Sequence, residues 1–209
     1  MPMEKLATNR GLYAIIDPEH CAGRDPIWVA KEILAGGCAM MQLRAKKLSD
    51  GEILALGKDL KALCGASAVP FVLNDRADLA EILQADALHL GQDDLPLPDA
   101  RSIYGGSIGL STHSYEQARE ASVKAEMIGI GPIFPTQSKI NPDPCLGLTE
   151  LERIARDINV PCIAIGGITV EQAPAVFGTG VQMIAMIRAI SMADHPRSAA
   201  RKVHIEAAK

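Results

Sequence analysis

The chain has 209 residues, 48% of them hydrophobic and 22% charged, with a formal net charge of −4. That length suits one barrel or one doubly wound sheet around a single core, and the composition is that of an ordinary globular chain, which excludes disorder and fibrous repeats. The negative balance, with no basic run anywhere, excludes a general affinity for nucleic acid, because phosphate-backbone binding needs a basic face.

Short apolar runs of β type alternate with longer segments of helical spacing from one end to the other. The first strand is predicted over residues 12–16, followed by a helix over 27–34. The second, 39–43, runs into Gln42-Leu43-Arg44-Ala45-Lys46, an amide and two cations at a strand end. Functionally that is an anion clamp; a solvated loop carries the same residue types. After a helix over 50–63, the third strand, 71–73, meets Asn74-Asp75-Arg76, and after a helix over 77–83 the fourth, 87–90, meets Gly91-Gln92-Asp93-Asp94. Carboxylates therefore end two adjacent strands. Each alone reads as a helix N-cap; together, Asp75 and Asp94 can hold Mg²⁺, which takes one or two protein carboxylates and completes its shell with water and phosphate. His89 is read as a packed or hydrogen-bonded strand residue, since no second His lies at ligand spacing.

A short helix over 98–103 precedes the fifth strand, 107–110, which leads to Ser111, a polar substrate contact, and to the loop residue His113. A helix over 115–123 and the sixth strand, 127–130, come next. The sixth strand is followed by Gly131-Pro132-Ile133-Phe134-Pro135-Thr136-Gln137-Ser138-Lys139, whose hydroxyls and cation suit phosphate. Residues 140–146, with Pro142 and Pro144, read as a loop able to close over a substrate. A helix over 148–158 leads to the seventh strand, 162–165, ending in Gly166-Gly167; a helix over 170–177 leads to the eighth, 183–187, ending in Ile187-Arg188. A last helix follows Ala193.

Eight such units imply a parallel sheet and a single (β/α)8 TIM barrel spanning residues 1–209. A doubly wound sheet is the alternative, but it calls for a Gly-x-Gly-x-x-Gly turn after an early strand, which this sequence lacks. In a barrel, chemistry sits at the C-terminal strand ends, and the loops after strands 7 and 8 often bind phosphate. The polar residues above all fall there, offering one metal site and at least two places for phosphate. The core must be aliphatic, since aromatic residues make up only 3%. The five cysteines are scattered and never spaced as a Cys-x-x-Cys pair, so neither a disulfide framework nor a zinc site is expected. With no stretch of about 18 apolar residues and no secretory layout, a cytoplasmic protein with no membrane partner is expected.

The runs Gln42 to Lys46, Asn74-Asp75-Arg76, His89 to Asp94, Gly131 to Lys139 and Ile165 to Ile168 resemble, in order and spacing, those of the thiamine-phosphate synthase family, over nearly the whole chain. The tail from Ala189-Ile190 through Ser198-Ala199-Ala200-Arg201-Lys202 is similar too. The resemblance implies a transferase that joins hydroxymethylpyrimidine diphosphate to hydroxyethylthiazole phosphate, releasing pyrophosphate, with Mg²⁺ as cofactor. It implies that Asp75 and Asp94 hold Mg²⁺ and that Gln42, Arg44, Lys46 and Lys139 bind diphosphate. Asn74 and Ser111 would contact the pyrimidine; Thr136, Gln137, Ser138, Gly167, Ile187 and Arg188 fall where the thiazole phosphate binds. Lys139, Arg44 and Ser111 are the residues it marks as catalytic, and it allows a homo-oligomer. Two positions depart from the pattern: Ser138 stands where Thr is frequent, and Arg188 where Ser is usual. The rival on the same barrel is a thiazole tautomerase, which performs a proton shift and has little use for a diphosphate clamp; a sensor of thiamine precursors and a phosphosugar isomerase are the readings from other classes.

Overall fold

The computed structural model describes residues 10–136 and 144–208. Eight strands form where the short apolar runs predict them: β1 Gly11–Ile16, β2 Met40–Leu43, β3 Phe71–Asn74, β4 Ala87–Leu90, β5 Ser107–Thr112, β6 Met127–Ile130, β7 Cys162–Ile165 and β8 Met183–Met186. Each pairs in parallel with its sequence neighbours, and β8 returns to β1, so the sheet closes into a barrel. The helices between them are α1 Pro26–Gly36, α2 Asp50–Ala66, α3 Ala77–Ile82, α4 Leu97–Ile103, α5 Tyr115–Ser122, α6 Gly147–Asp157, α7 Ala173–Gly178, α8 Arg188–Ser191 and α9 Pro196–Ala207. Among the described residues no helix is long and apolar enough to cross a membrane.

Local chemistry explains several starts. Asp25 accepts from the N–H groups of Ile27 and Trp28 ahead of α1, with Pro26 at the first helical position, where a missing N–H costs nothing. A capping box opens α2: Glu52 accepts from the Ser49 N–H at 2.8 Å. The helix predicted over 170–177 divides instead. Val170–Gln172 is a 3-10 turn, and α7 begins at Ala173, where Pro174 is tolerated only near a helix start. Two further departures bear on the site: β5 runs on through Ser111 and Thr112, and Arg188 opens the short α8 directly after β8. Most of the predicted closing loop, 140–143, lies outside the described residues.

Alternation along the strands separates two cores. Leu12, Ala14, Met41, Leu43, Leu73, Leu88, Ile128, Ala164 and Ile184 pack outward under the helices. Tyr13, Ile15, Met40, Val72, Ala87, Met127, Ile163, Met183 and Ala185 fill the barrel. The same period of two carries Gln42, Asn74, His89, Ser111 and Ile187 into the upper interior.

At the opposite end a repeated device ties strands in pairs. Asp86, just before β4, accepts from the Phe71 N–H at the start of β3 at 2.8 Å. Glu126, before β6, accepts from the Ile108 N–H in β5 at 2.7 Å, and Gln182, before β8, accepts from the Cys162 N–H of β7 at 2.7 Å. Each satisfies a strand N–H that the sheet leaves unpaired. Arg101 braces Glu126 at 2.5 Å. Glu126→Ala is therefore expected to cost about 1–3 kcal/mol by orphaning the Ile108 N–H, and Glu126→Gln less, because the amide oxygen still accepts. Urea midpoints of the two variants check this; equal losses would show that the ion pair with Arg101 is what matters.

Candidate active site

The C-terminal strand ends surround a cavity of about 710 Å³, in the range that encloses small ligands. Every predicted site residue that falls among the described ones lines it: Gln42, Arg44, Lys46, Asn74, Asp75, Asp94, Ser111, Thr136, Gly167, Ile187 and Arg188. Gln137, Ser138 and Lys139 lie outside the described residues.

The two carboxylates meet because of backbone conformations that few residues accept. Asp75 has φ of 64°, the left-handed region that Asp and Asn visit more readily than other side chains. Its N–H donates to the His89 carbonyl oxygen at 2.9 Å, which swings it toward the loop after β4. Asp94 accepts from the Gly91 N–H at 2.6 Å, and a Cβ at Gly91 would stand 2.8 Å from that same carboxylate oxygen. The Asp75 and Asp94 carboxyls stand close enough to perturb each other's ionisation. Burial, and then the bond to Asp94, push Asp75 up from 3.8 to about 6, against the pull of Lys46, whose Nζ lies 3.0 Å from Asp75 Oδ2. Burial works to raise Asp94 as well, but hydrogen bonds from Asp75 and the Gly91 N–H keep it below its ordinary value. The two carboxyls titrate as a pair, and Asp75 is the member that takes up a proton first as pH falls. Among the described residues no group of three His, Cys, Asp or Glu side chains stands together, so the protein forms no full cage of metal ligands there.

Side chains from neighbouring strands hold the rest of the wall. Gln42, only 2% exposed, donates to the Tyr13 hydroxyl at 2.6 Å; burial pushes the phenol up, so it keeps its proton. Ser111 Oγ lies 3.0 Å from His89 Nε2. Burial pushes His89 down to about 4, so the ring is neutral near pH 7. Gly109 and Gly129 leave room for it: a Cβ at the first would stand 2.8 Å from Nδ1, at the second 3.2 Å from Cε1. Its Nδ1 is buried without a hydrogen-bond partner among the described residues. His89 is thus packed in the barrel as expected, yet it also touches a rim residue, Ser111. Arg44 Nη1 pairs with Asp17 Oδ2 at 2.5 Å. Sequence reasoning missed Asp17, although an acid directly after β1 is the same signal that singled out Asp75.

The loops after β6 and β7 are stitched together by the Ile133 and Phe134 N–H groups, which donate to the carbonyl oxygens of Ile165 and Gly166 at 3.0 Å each. The glycine pair is required by this packing. Gly167 has φ of 67°, and a Cβ on it would lie 2.4 Å from the Pro135 carbonyl oxygen. The close approach that glycine permits here is therefore of backbone to backbone.

A closed parallel barrel whose rim combines a carboxylate pair with Arg44 and Lys46, around a cavity for small ligands, defines an enzyme of the (β/α)8 class. A family model described as thiamine monophosphate synthase matches residues 12–190, and the chain belongs to that family. The thiamine-phosphate synthase of Archaeoglobus fulgidus is 39% identical over 201 residues, covering 96% of this chain and 95% of its own. That of Halalkalibacterium halodurans is 41% identical over 182 residues, 86% of either chain. Among solved structures, a thiamine phosphate pyrophosphorylase from Pyrococcus furiosus superposes with a TM-score of 0.88 at 33% identity, covering 99% of this chain and 97% of that one.

The raised Asp75 carboxyl makes a prediction for the metal-free protein. Asp75's folded value, about 6, stands above its unfolded 3.8, so stability falls as pH rises between the two. Asp75→Asn, which keeps the left-handed turn, is expected to raise the urea midpoint fully above about pH 6 and to lose that gain as pH falls toward about 4. Paired titrations across that range check it; a gain independent of pH would exclude the raised carboxyl as its source.

Proposed function

We infer that this chain condenses hydroxymethylpyrimidine diphosphate with hydroxyethylthiazole phosphate, giving thiamine phosphate and pyrophosphate. The observation that carries the reading is the Asp75–Asp94 pair set beside Lys46, with Arg44 on the same cavity wall, in a member of this family.

In the reaction, the bond between the pyrimidine methylene carbon and the diphosphate oxygen breaks, its electron pair leaving with pyrophosphate. The nitrogen lone pair of the thiazole then forms the new C–N bond. That nitrogen carries no proton to lose, so the step needs no general base. What it needs is stabilisation of charge on the leaving group and alignment of two substrates. Arg44 and Lys46 supply fixed positive charge for the departing diphosphate, joined by Lys139 from the sequence pattern. Asn74 and Ser111 line the upper interior, where they can fix the pyrimidine ring, and Gln42 beside them offers its amide to the diphosphate; the neutral His89 behind Ser111 adds no competing charge. Thr136, Gly167, Ile187 and Arg188 edge the part of the cavity assigned to the thiazole phosphate, with Gln137 and Ser138 again from the sequence pattern.

Mg²⁺ is the proposed cofactor. Two neighbouring carboxyls, one of them pushed up to about 6, fit a divalent cation, which would favour the ionised form of both, and two carboxylates leave the remaining positions to water and phosphate oxygens. Asp75 and Asp94 would hold the ion, which when bound neutralises diphosphate charge. We place the reaction in the cytoplasm, where the five unpaired thiols would stay reduced.

Purified protein given both phosphorylated precursors is expected to form thiamine phosphate, detected by mass, only when Mg²⁺ is supplied. Asp75→Ala and Asp94→Ala should each lower kcat by at least about a hundredfold while the circular dichroism spectrum and the thermal midpoint show a folded protein. Unimpaired turnover in either folded variant would remove the carboxylate pair from the chemistry.

A further inference from the structure

The turn after β1 belongs to the rim, but nothing in the reading above gives it a task. Asp17 is its first residue and is only 1% exposed. A buried carboxylate is unfavourable unless every oxygen is occupied, and here both are. Oδ1 accepts from the Glu19 N–H at 3.0 Å, opening the 3-10 turn Pro18–His20. Oδ2 takes Arg44 Nη1 at 2.5 Å, with His20 Nδ1 at 3.2 Å. The backbone beneath is fixed too: the Arg44 N–H donates to the Ile16 carbonyl oxygen at 2.9 Å, and Cys21 Sγ lies 3.3 Å from the Asp17 carbonyl oxygen. A second ion pair, Lys47 Nζ to Glu19 Oε1 at 2.5 Å, ties the same turn to the same loop.

The two members of the Asp17–Arg44 pair differ in access. The carboxylate is sealed, whereas the guanidinium is partly exposed and lines the cavity. Arg44 makes no other side-chain hydrogen bond among the described residues. The Nη1 end of the guanidinium is thus pinned by Asp17, in a residue that lines the cavity. A long cation pinned in this way does not have to surrender rotamer freedom when a diphosphate arrives.

We propose that Asp17 is a positioning residue for the diphosphate half of the site, holding Arg44 in the orientation in which it meets the leaving pyrophosphate. The proposal rests on the reading of the cavity given above. Two opposing effects follow from the pairing. Asp17 orders Arg44, which favours pyrophosphate; its negative charge also offsets that of Arg44, which disfavours it. The sealed position of the carboxylate, behind the guanidinium and away from the cavity, makes ordering the larger effect. A carboxylate that only capped the Pro18–His20 turn would have no bearing on either ligand.

Calorimetric titration of inorganic pyrophosphate with Mg²⁺, and separately of thiazole phosphate, into wild type, Asp17→Asn, Arg44→Gln and the double variant tests this. Asp17→Asn keeps the acceptor for the Glu19 N–H and the shape, but not the charge. It is expected to weaken pyrophosphate about tenfold, to leave thiazole phosphate unchanged, and to add no further loss on top of Arg44→Gln, as coupled residues do. Pyrophosphate binding that is unchanged or tighter in Asp17→Asn, or losses that simply add in the double variant, would overturn the proposal. If Asp17→Asn proves unfolded, Asp17→Glu, which keeps the buried charge but shifts it along the Arg44 guanidinium, takes its place: weaker pyrophosphate binding with thiazole phosphate unchanged supports the proposal, and unchanged pyrophosphate binding overturns it. Wild type that binds no pyrophosphate at all would strike the functional reading itself and take the proposal with it.

Discussion

The parallel pairing of β8 with β1, which sets Met183 beside Gly11 and Met186 beside Ala14, removes the two edges that an open eight-stranded sheet would expose. Closure has a second consequence, because the strands are only four to six residues long. With side chains alternating in and out, each strand sends two or three inward, and the barrel has room for little more than an apolar floor and a polar ceiling. Met40, Val72, Ala87 and Met127 lie in the floor; two residues further along the same strands stand Gln42, Asn74, His89 and Gly129. Closure also brings α9 against α1 so tightly that a Cβ at Gly36 would lie 2.4 Å from the Arg197 carbonyl oxygen. The site is thus the top layer of the core, carried by the same hydrogen bonds that hold the barrel shut.

A polar layer in that position sets a problem in electrostatics. Two carboxylates at the ends of β3 and beyond β4 repel each other, and burial strengthens the repulsion. The structure answers with Lys46 on Asp75 and with the Gly91 N–H on Asp94. Each answer is partial, since Lys46 is about half exposed and Asp75 still stands at about 6. The other end of the barrel shows the contrast. There Asp86 and Glu126 are matched to strand N–H groups and to Lys61 and Arg101. Polar groups that satisfy one another mark the stable face; polar groups left with an unmet requirement mark the reactive one.

The alternation of strand and helix was legible in the sequence because apolar period and breaker residues agree at each of the eight strands. Where they disagree, at 170–177, Pro174 breaks the apparent helix into a 3-10 turn and α7, a distinction that apolar spacing does not carry. Asp75 and Asp94 were legible as acids beside strand ends, and Gln42, Arg44 and Lys46 as a polar cluster in the same place. Asp17 occupies an equivalent position but precedes Pro18, so its residue type fits a turn equally well; only its burial and its ion pair to Arg44 distinguish it. His89 was read correctly as a strand residue, but its contact with Ser111 depends on the space at Gly109 and Gly129, twenty and forty positions downstream. The glycine pair 166–167 was placed correctly on the rim, yet the reason for it lies in the Pro132–Pro135 backbone, which no local pattern reveals.

Within the rim, the polar groups repeat one arrangement: a side chain facing the cavity is held by a side chain or backbone group of a neighbouring strand or its loop. Tyr13 in β1 receives Gln42 of β2; His89 in β4 meets Ser111 of β5; Asp17 after β1 holds Arg44 after β2; and Gln92 after β4 donates to the Ser111 carbonyl oxygen at 2.6 Å. In a barrel each strand has its sequence neighbours on either side, so such pairs need only short reaches. The arrangement suits the chemistry inferred for this family member. A reaction in which charge separates, with no proton to move, is accelerated by dipoles and cations already pointing where charge will appear. Groups free to rotate would have to reorganise at that moment and lose much of their advantage. Fixing them in advance transfers the cost to folding, where the buried Tyr13 and Asp17 and the unpartnered His89 Nδ1 are carried by the stability of the closed sheet.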